Sequence, residues 1–266
     1  MDLELFKQTI WNFYRENRRD FPWRKDPTPY QVVVSEIMLQ QTQTDRVIPK
    51  YNAFIAELPD FATLAQASSR QVLSLWQGLG YNRRGLALHR IAQEISRHYN
   101  GLTPSEPHLL EKFKGIGPAT AASICAFAYN KPTIFIETNI RAVFIHCFFP
   151  EKELVNDKEL FPLIRDTIDT RSPKEWYYAL MDYGVMLKKK FKNPSQKSTH
   201  HTKQSRFEGS ERQVRGIILK LLVEHMRLTQ EELIEYSARQ PEKVIKSLNK
   251  LVKENLIKYT HDLYFL

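Results

Sequence analysis

Only two cysteines, Cys125 and Cys147, occur in 266 residues. Both sit in apolar runs, SICAFA and FIHCFF, where a small buried hydrophobe is the ordinary role. Two thiols exclude a disulfide framework and a centre held by four cysteines. Long apolar runs are missing as well, none approaching the roughly 18 residues that span a bilayer. The N-terminus, MDLELFKQTIWNFY, is acidic and amphipathic rather than basic and then apolar. No secretory leader is expected there, and the chain is expected to be soluble and intracellular, without a membrane partner. Sustained period-two alternation is lacking before the last dozen residues, which leaves no room for a large sheet. No internal repeat is visible.

What the sequence does contain is helical spacing. Apolar residues recur at three- and four-residue intervals at Leu3, Phe6, Ile10 and Phe13, at Val47, Tyr51, Phe54 and Ile55, and at Leu86, Leu88, Ile91 and Ile95. Prolines at 22, 27, 29, 59, 104, 107 and 132 punctuate the pattern, predicting many short helices and an all-α class. Lys and Arg outnumber Asp and Glu by 39 to 30, a formal charge of +9 that favours a polyanionic partner such as nucleic acid. Residues 188–212 are rich in Lys, Ser and Gln and read as a basic linker. Beyond it, 213–266 holds an apolar helix, a capping box at Thr229 and Glu232, a helix opened by Pro241, and two short strands around His261-Asp262. Three helices followed by a hairpin is a winged-helix-like order.

The segment PHLLEKFKGIGPATAASICAFAY, residues 107–129, predicts a short helix, a turn at Lys114-Gly115-Ile116-Gly117, and a second helix opened by Pro118. Glycines on both sides of the turn let backbone N–H groups face outward at a helix start, where phosphate oxygens bind, while Ile116 tucks inward. By itself this is also an ordinary αα-hairpin with a glycine turn. Four further motifs keep company with it in order: FPWRKDPTPYQVVVSEIMLQQTQTDRVIPKY before it, WQGLGYNRR, then IETNIRAV and WYYALMDYGVM after it. Together they make residues 3–187 resemble the helix-hairpin-helix DNA glycosylases, and among them the A/G-specific adenine glycosylases more than endonuclease III.

The resemblance implies an all-α fold of two helical subdomains with the active site between them. Residues 1–187 would form it, helix 1–20 packing with 133–187 and a six-helix barrel over about 28–132 containing the hairpin. It also implies a duplex DNA partner with a mispaired or damaged base, a monomeric enzyme, and, in a prokaryote, a cytoplasmic place at the nucleoid. Breaking an N-glycosidic bond needs a proton for the leaving base and a negative charge facing the sugar cation. Glu36, flanked by Val33, Val34, Ile37 and Met38, matches the family's proton donor, and burial there is expected to keep it protonated. Glu137 stands where the family has Asp, one methylene longer, and Asn139 supports it. Gln41 matches the intercalating residue, with Gln40 and Thr42 beside it. Tyr81 and Asn82 match the loop that wedges the opposite strand. Arg83, Arg84 and Arg141 are expected phosphate contacts, as are Lys114, Gly115, Ile116, Gly117, Ala119 and Thr120 of the hairpin. Trp23, Arg24 and Met38 are expected to line the base pocket.

Departures from the family are equally informative. Bifunctional relatives carry a Schiff-base Lys where this chain has Ala119, so excision is expected to stop at the abasic site. Asn82 is more like endonuclease III than the aromatic of adenine glycosylases. Most relatives hold a four-cysteine iron–sulfur cluster after the MDxG segment; no cysteine follows it here, so no cofactor is expected. The winged-helix-like segment takes the place of the nudix-like domain that reads 8-oxoguanine, as a duplex reader or as a docking surface. Adenine opposite guanine or 8-oxoguanine is the expected substrate. A mismatch thymine or uracil glycosylase and a lesion-binding protein without activity are the alternatives.

Overall fold

The computed structural model describes residues 2–202 and 206–266; the parts of the expected linker at 203–205 and of the first domain at residue 1 lie outside them. The elements in order are α1 (Leu3–Asn17), a 3₁₀ turn (Pro22–Arg24), α2 (Pro29–Leu39), α3 (Thr44–Glu57), α4 (Phe61–Gln66), α5 (Ser69–Trp76), α6 (Arg83–His98), α7 (Pro107–Leu110), α8 (Pro118–Tyr129), α9 (Thr138–Phe148), α10 (Asp157–Thr167) and α11 (Pro173–Lys190). A second 3₁₀ turn (Pro194–Lys197) precedes α12 (Glu211–His225), β1 (Arg227–Leu228), α13 (Gln230–Ser237), α14 (Pro241–Lys253), β2 (Lys258–Thr260) and β3 (Leu263–Phe265). The fold is predominantly helical, and it divides into two units, 2–33 with 104–202 and 34–103 with 206–266.

In the first unit Asp2 caps α1 through the amides of Glu4 and Leu5, both at 3.0 Å. Phe6, Ile10 and Tyr14 then fall on one face of α1 and pack on α11. Phe6 meets the rings of Phe144 at 5.2 Å and Trp176 at 6.1 Å. Helix α8 buries against α11, where Phe127 stacks on Tyr178 at 4.8 Å and the Tyr177 hydroxyl donates to the Thr133 carbonyl at 2.7 Å. The hairpin thus lies in the same unit as 133–187. Asp182 on α11, 2% exposed, accepts two bonds from the Arg24 guanidinium at 2.9 Å each and two from the Nε and backbone N of Arg19 at 2.7 and 3.0 Å.

The expected linker is also shorter than its composition suggests. Lys188–Lys190 continue α11, Pro194 and Ser195 are buried in the second 3₁₀ turn against α9, and Ser198 pairs with Val155. Two backbone bonds hold that pairing, Val155 N to Lys197 O at 2.8 Å and Thr199 N to Val155 O at 3.0 Å.

In the second unit α4 and α5 pack on α6, and Trp76 lies so close to Gly85 that a Cβ there would meet its ring at 2.8 Å. The C-terminal helices join this unit instead of standing apart. Ile218 and Leu222 of α12, with Leu248 of α14, share one apolar cluster with Leu73 and Leu86. An apolar face as broad as that of α12 must be covered, and α5 and α14 cover it. The capping box closes at both ends, Thr229 N to Glu232 Oε2 at 2.7 Å and Glu232 N to Thr229 Oγ1 at 3.2 Å. His261 and Asp262 both take positive φ, +49° and +58°, as a two-residue hairpin turn requires. The sheet has a third strand that the sequence pattern did not reveal, giving the antiparallel order β1-β3-β2.

Candidate active site

The hairpin is built from a sharp reversal. Gly115 adopts φ +113°, a conformation costly for any side chain, and Ile116 turns inward, 5% exposed, with its N–H on the Phe113 carbonyl at 3.0 Å. Gly117 then caps α8, Pro118 occupies its first turn, and Lys114, Gly115, Gly117 and Ala119 face solvent, with Thr120 half-buried. The outcome is an exposed helix start whose first-turn amides have no carbonyl within the helix to bond. Its partial positive charge suits an anionic oxygen.

Glu137 is the N-cap of α9. One carboxylate oxygen accepts from the amides of Asn139 at 2.7 Å and Ile140 at 2.9 Å; the other accepts from Asn139 Nδ2 at 3.1 Å. The extra methylene therefore does not prevent capping, and Asn139 holds the second oxygen in place. Helix α11 supports the arrangement at close range: a Cβ on Gly184 would lie 2.5 Å from the Asn139 carbonyl oxygen. Gly184→Ala is expected to push the start of α9 aside, destabilising the protein by about 1–3 kcal/mol and slowing any Glu137-dependent reaction at least about tenfold. Urea denaturation and single-turnover rates check this, and an unchanged rate would show that the contact is incidental.

Lys188, read from sequence as the start of the linker, lies on α11 one turn beyond Gly184. Burial lowers its ammonium below the usual range, while the Glu137 carboxylate acts in the opposite sense. Composition alone could not single it out among three consecutive lysines. Arg141, expected on a phosphate, instead grips Asp157 with Nε at 2.8 Å and NH2 at 2.7 Å, both side chains largely buried.

The second unit carries Glu36, half-buried on α2 with Val32, Val33, Val34, Ile37 and Met38 buried around it in sequence. Gln40 is half-buried, whereas Gln41 is exposed at φ +56° in the turn that follows. Arg84, expected on a phosphate, is buried. NH1 of its guanidinium donates to the carbonyls of Ile37, Met38 and Gln40 at 2.8, 3.0 and 2.5 Å. NH2 donates to Thr42 Oγ1 at 2.9 Å and to the carbonyls of Leu79 and Gly80 at 3.4 and 3.3 Å. Burial lowers the guanidinium to about 10. It caps the C-terminus of the helix bearing Glu36 and ties that end to the turns at 40–42 and 79–80. Arg83 next to it is exposed, and Asn82 precedes α6 without a side-chain capping bond.

The three residues expected around a base are also buried. Trp23 stacks on Phe21 at 5.1 Å, Arg24 is committed to Asp182 and lies 4.3 Å from the Tyr178 ring centre, and Met38 is fully enclosed. Each is packed in a core or pairs with a buried acid.

A helical hairpin with an exposed helix start, a capped carboxylate at another helix start and a second acid on an apolar helix define the class of protein: a helix-hairpin-helix protein. Residues 34–162 match the family described as HhH-GPD superfamily base excision DNA repair protein, and the chain belongs to that superfamily. It is 34% identical over 188 residues to the adenine DNA glycosylase of Buchnera aphidicola subsp. Baizongia pistaciae, a match covering 69% of this chain but 53% of that one. The chain thus spans about half the length of that curated relative. Against the adenine DNA glycosylase of Mycolicibacterium smegmatis the identity is 29% over 274 residues, covering 95% of this chain and 92% of that one. Among solved structures, a thermostable thymine-DNA glycosylase superimposes with a TM-score of 0.64 at 25% identity, covering 69% of this chain and 86% of that one. Among the described residues no group of three or more His, Cys, Asp or Glu is placed to hold a metal ion, and no helix is long and apolar enough to cross a membrane.

Proposed function

We propose that the protein is a DNA glycosylase of base excision repair that hydrolyses the N-glycosidic bond of a mispaired base extruded from duplex DNA, with adenine opposite guanine or 8-oxoguanine as its substrate. The observation that carries this is that the stretch matching the base-excision family contains Glu36, the hairpin and Glu137 together. Glu36 would deliver the proton to the departing purine. Glu137, fixed by Asn139, would face the positive charge that grows on the sugar and hold the attacking water. The exposed hairpin and Arg83 would bind the backbone, Gln41 would enter the stack, and Tyr81 with Asn82 would part the opposite strand. Ala119 offers no amine, so the reaction would end at the abasic site. The C-terminal helices and sheet would act as a winged helix beside the opposite strand.

An iron–sulfur cluster does not fit the residues present. Cluster ligation needs four thiolates; Cys125 lies buried in α8, Cys147 lies in α9, and the stretch after α11 packs through Pro194, Ser195 and Ser198.

A thymine-releasing reaction on the same scaffold is the second reading, favoured by the likeness to the thymine-DNA glycosylase. Single-turnover cleavage of duplexes carrying adenine, thymine or uracil opposite guanine or 8-oxoguanine separates the two. Release of adenine is expected and borohydride is expected to trap no covalent complex; no release from any duplex would end the enzymatic reading. In the same assay Glu137→Gln should cost about 10²–10³ in rate, whereas Glu137→Asp should stay within about tenfold of the parent because charge is preserved. Equal losses for the two would remove the charge argument.

A further inference from the structure

The Tyr81 side chain is held from the C-terminal part of the chain. Arg212, in the first turn of α12, donates from NH1 to the Tyr81 hydroxyl at 2.5 Å, and its guanidinium carbon lies 5.5 Å from the ring centre. The Arg84 guanidinium lies 5.3 Å from the same ring. Tyr81 itself has φ +48°, a left-handed conformation that a bulky residue keeps only where its surroundings impose it. Arg212 is well placed to impose it, because α12 is anchored along its length. Glu211 pairs with Lys250 at 2.7 Å, Arg215 with Glu254 at 2.5 Å, and the Val223 carbonyl accepts from Arg70 Nε at 2.7 Å. Between these points its apolar face shares a core with Leu73 and Leu86, which flank the 77–82 turn in sequence.

We infer that Arg212 is a positioning residue through which the C-terminal helices fix the Tyr81-Asn82 turn for entry into the duplex, so that this segment tunes strand insertion without touching the excised base. The inference rests on the proposed glycosylase reading, in which that turn parts the opposite strand. A guanidinium suits the task because it satisfies the phenol oxygen and lies against the ring at once, which an ammonium does less well.

The test uses the full chain and a duplex with 2-aminopurine beside the orphaned base, whose fluorescence rises when the stack is broken. Arg212→Ala should cut the fluorescence rise to less than about half and the single-turnover rate about tenfold, with melting temperature and affinity for matched duplex nearly unchanged. In a Tyr81→Ala background the same substitution should add nothing, since the group it positions is gone. Arg212→Lys should restore part of the signal. Should Arg212→Ala fail to fold, Arg212→Lys with Tyr81→Phe supplies the same cycle. Penalties that multiply instead of merging, or an Arg212→Ala protein with the parent's rate and fluorescence, would overturn the inference. If the parent releases no base from any duplex, the glycosylase reading falls by itself, and the fluorescence cycle still decides whether Arg212 acts on the turn.

Discussion

Glu36→Gln is expected to abolish base release, lowering the single-turnover rate by about 10³-fold or more while leaving DNA affinity near the parent's. The amide has the shape of the acid and can keep its place on α2, but it cannot hand a proton to a departing base. The surroundings make the substitution clean: Val33, Val34, Ile37 and Met38 are all buried, and the end of the helix is held by Arg84. A change of shape would disturb that packing; a change of acidity alone should not. Circular dichroism and urea denaturation should therefore superimpose on the parent. Full activity in this variant would remove Glu36 from the chemistry and point to a different acid.

The largest loss of stability is expected at Asp182. Its carboxylate accepts both Arg24 nitrogens and two groups of Arg19, and Arg24 is only 4% exposed. Asp182→Ala leaves that guanidinium buried beside Phe21 and Tyr178 with no acid to balance it. Removing one partner of such a pair costs about 3–5 kcal/mol, far more than the pair contributes relative to an apolar replacement. The double variant Asp182→Ala with Arg24→Met should therefore recover much of what the single variant loses. Urea midpoints of the three proteins check this, and a single variant within about 1 kcal/mol of the parent would show that water reaches Arg24.

The elements that the sequence made legible are those whose cause is local. The hairpin follows from two glycines, an isoleucine and a proline, and the hairpin turn of the C-terminal sheet follows from His261-Asp262 between two short strands. Arg84 was not legible, because nothing in NRRG tells which of two arginines turns inward to meet helix carbonyls. Arg24 and Arg141 illustrate the same limit: a guanidinium that looks available for DNA can be consumed by an acid distant in sequence, Asp182 or Asp157. The segment after α11 misled for another reason. Its composition is that of a solvated linker, yet its backbone pairs with Val155. Strand β1 has only two residues, too few for any alternation to register. Gly184 had a visible place in MDYGVM, but its reason, the Asn139 carbonyl, comes from α9.

The Arg84 clasp also bears on how this region comes apart. One side chain joins the carbonyls of Ile37, Met38 and Gln40 to those of Leu79 and Gly80, so none of these segments can swing out without breaking bonds shared by the rest. Local opening here is a single event instead of several independent ones. The amides of 37–42 and 79–82 should then exchange with deuterium on a common timescale, and the end of the helix bearing Glu36, the turn at 40–42 and the turn at 79–82 should lose and regain their order together.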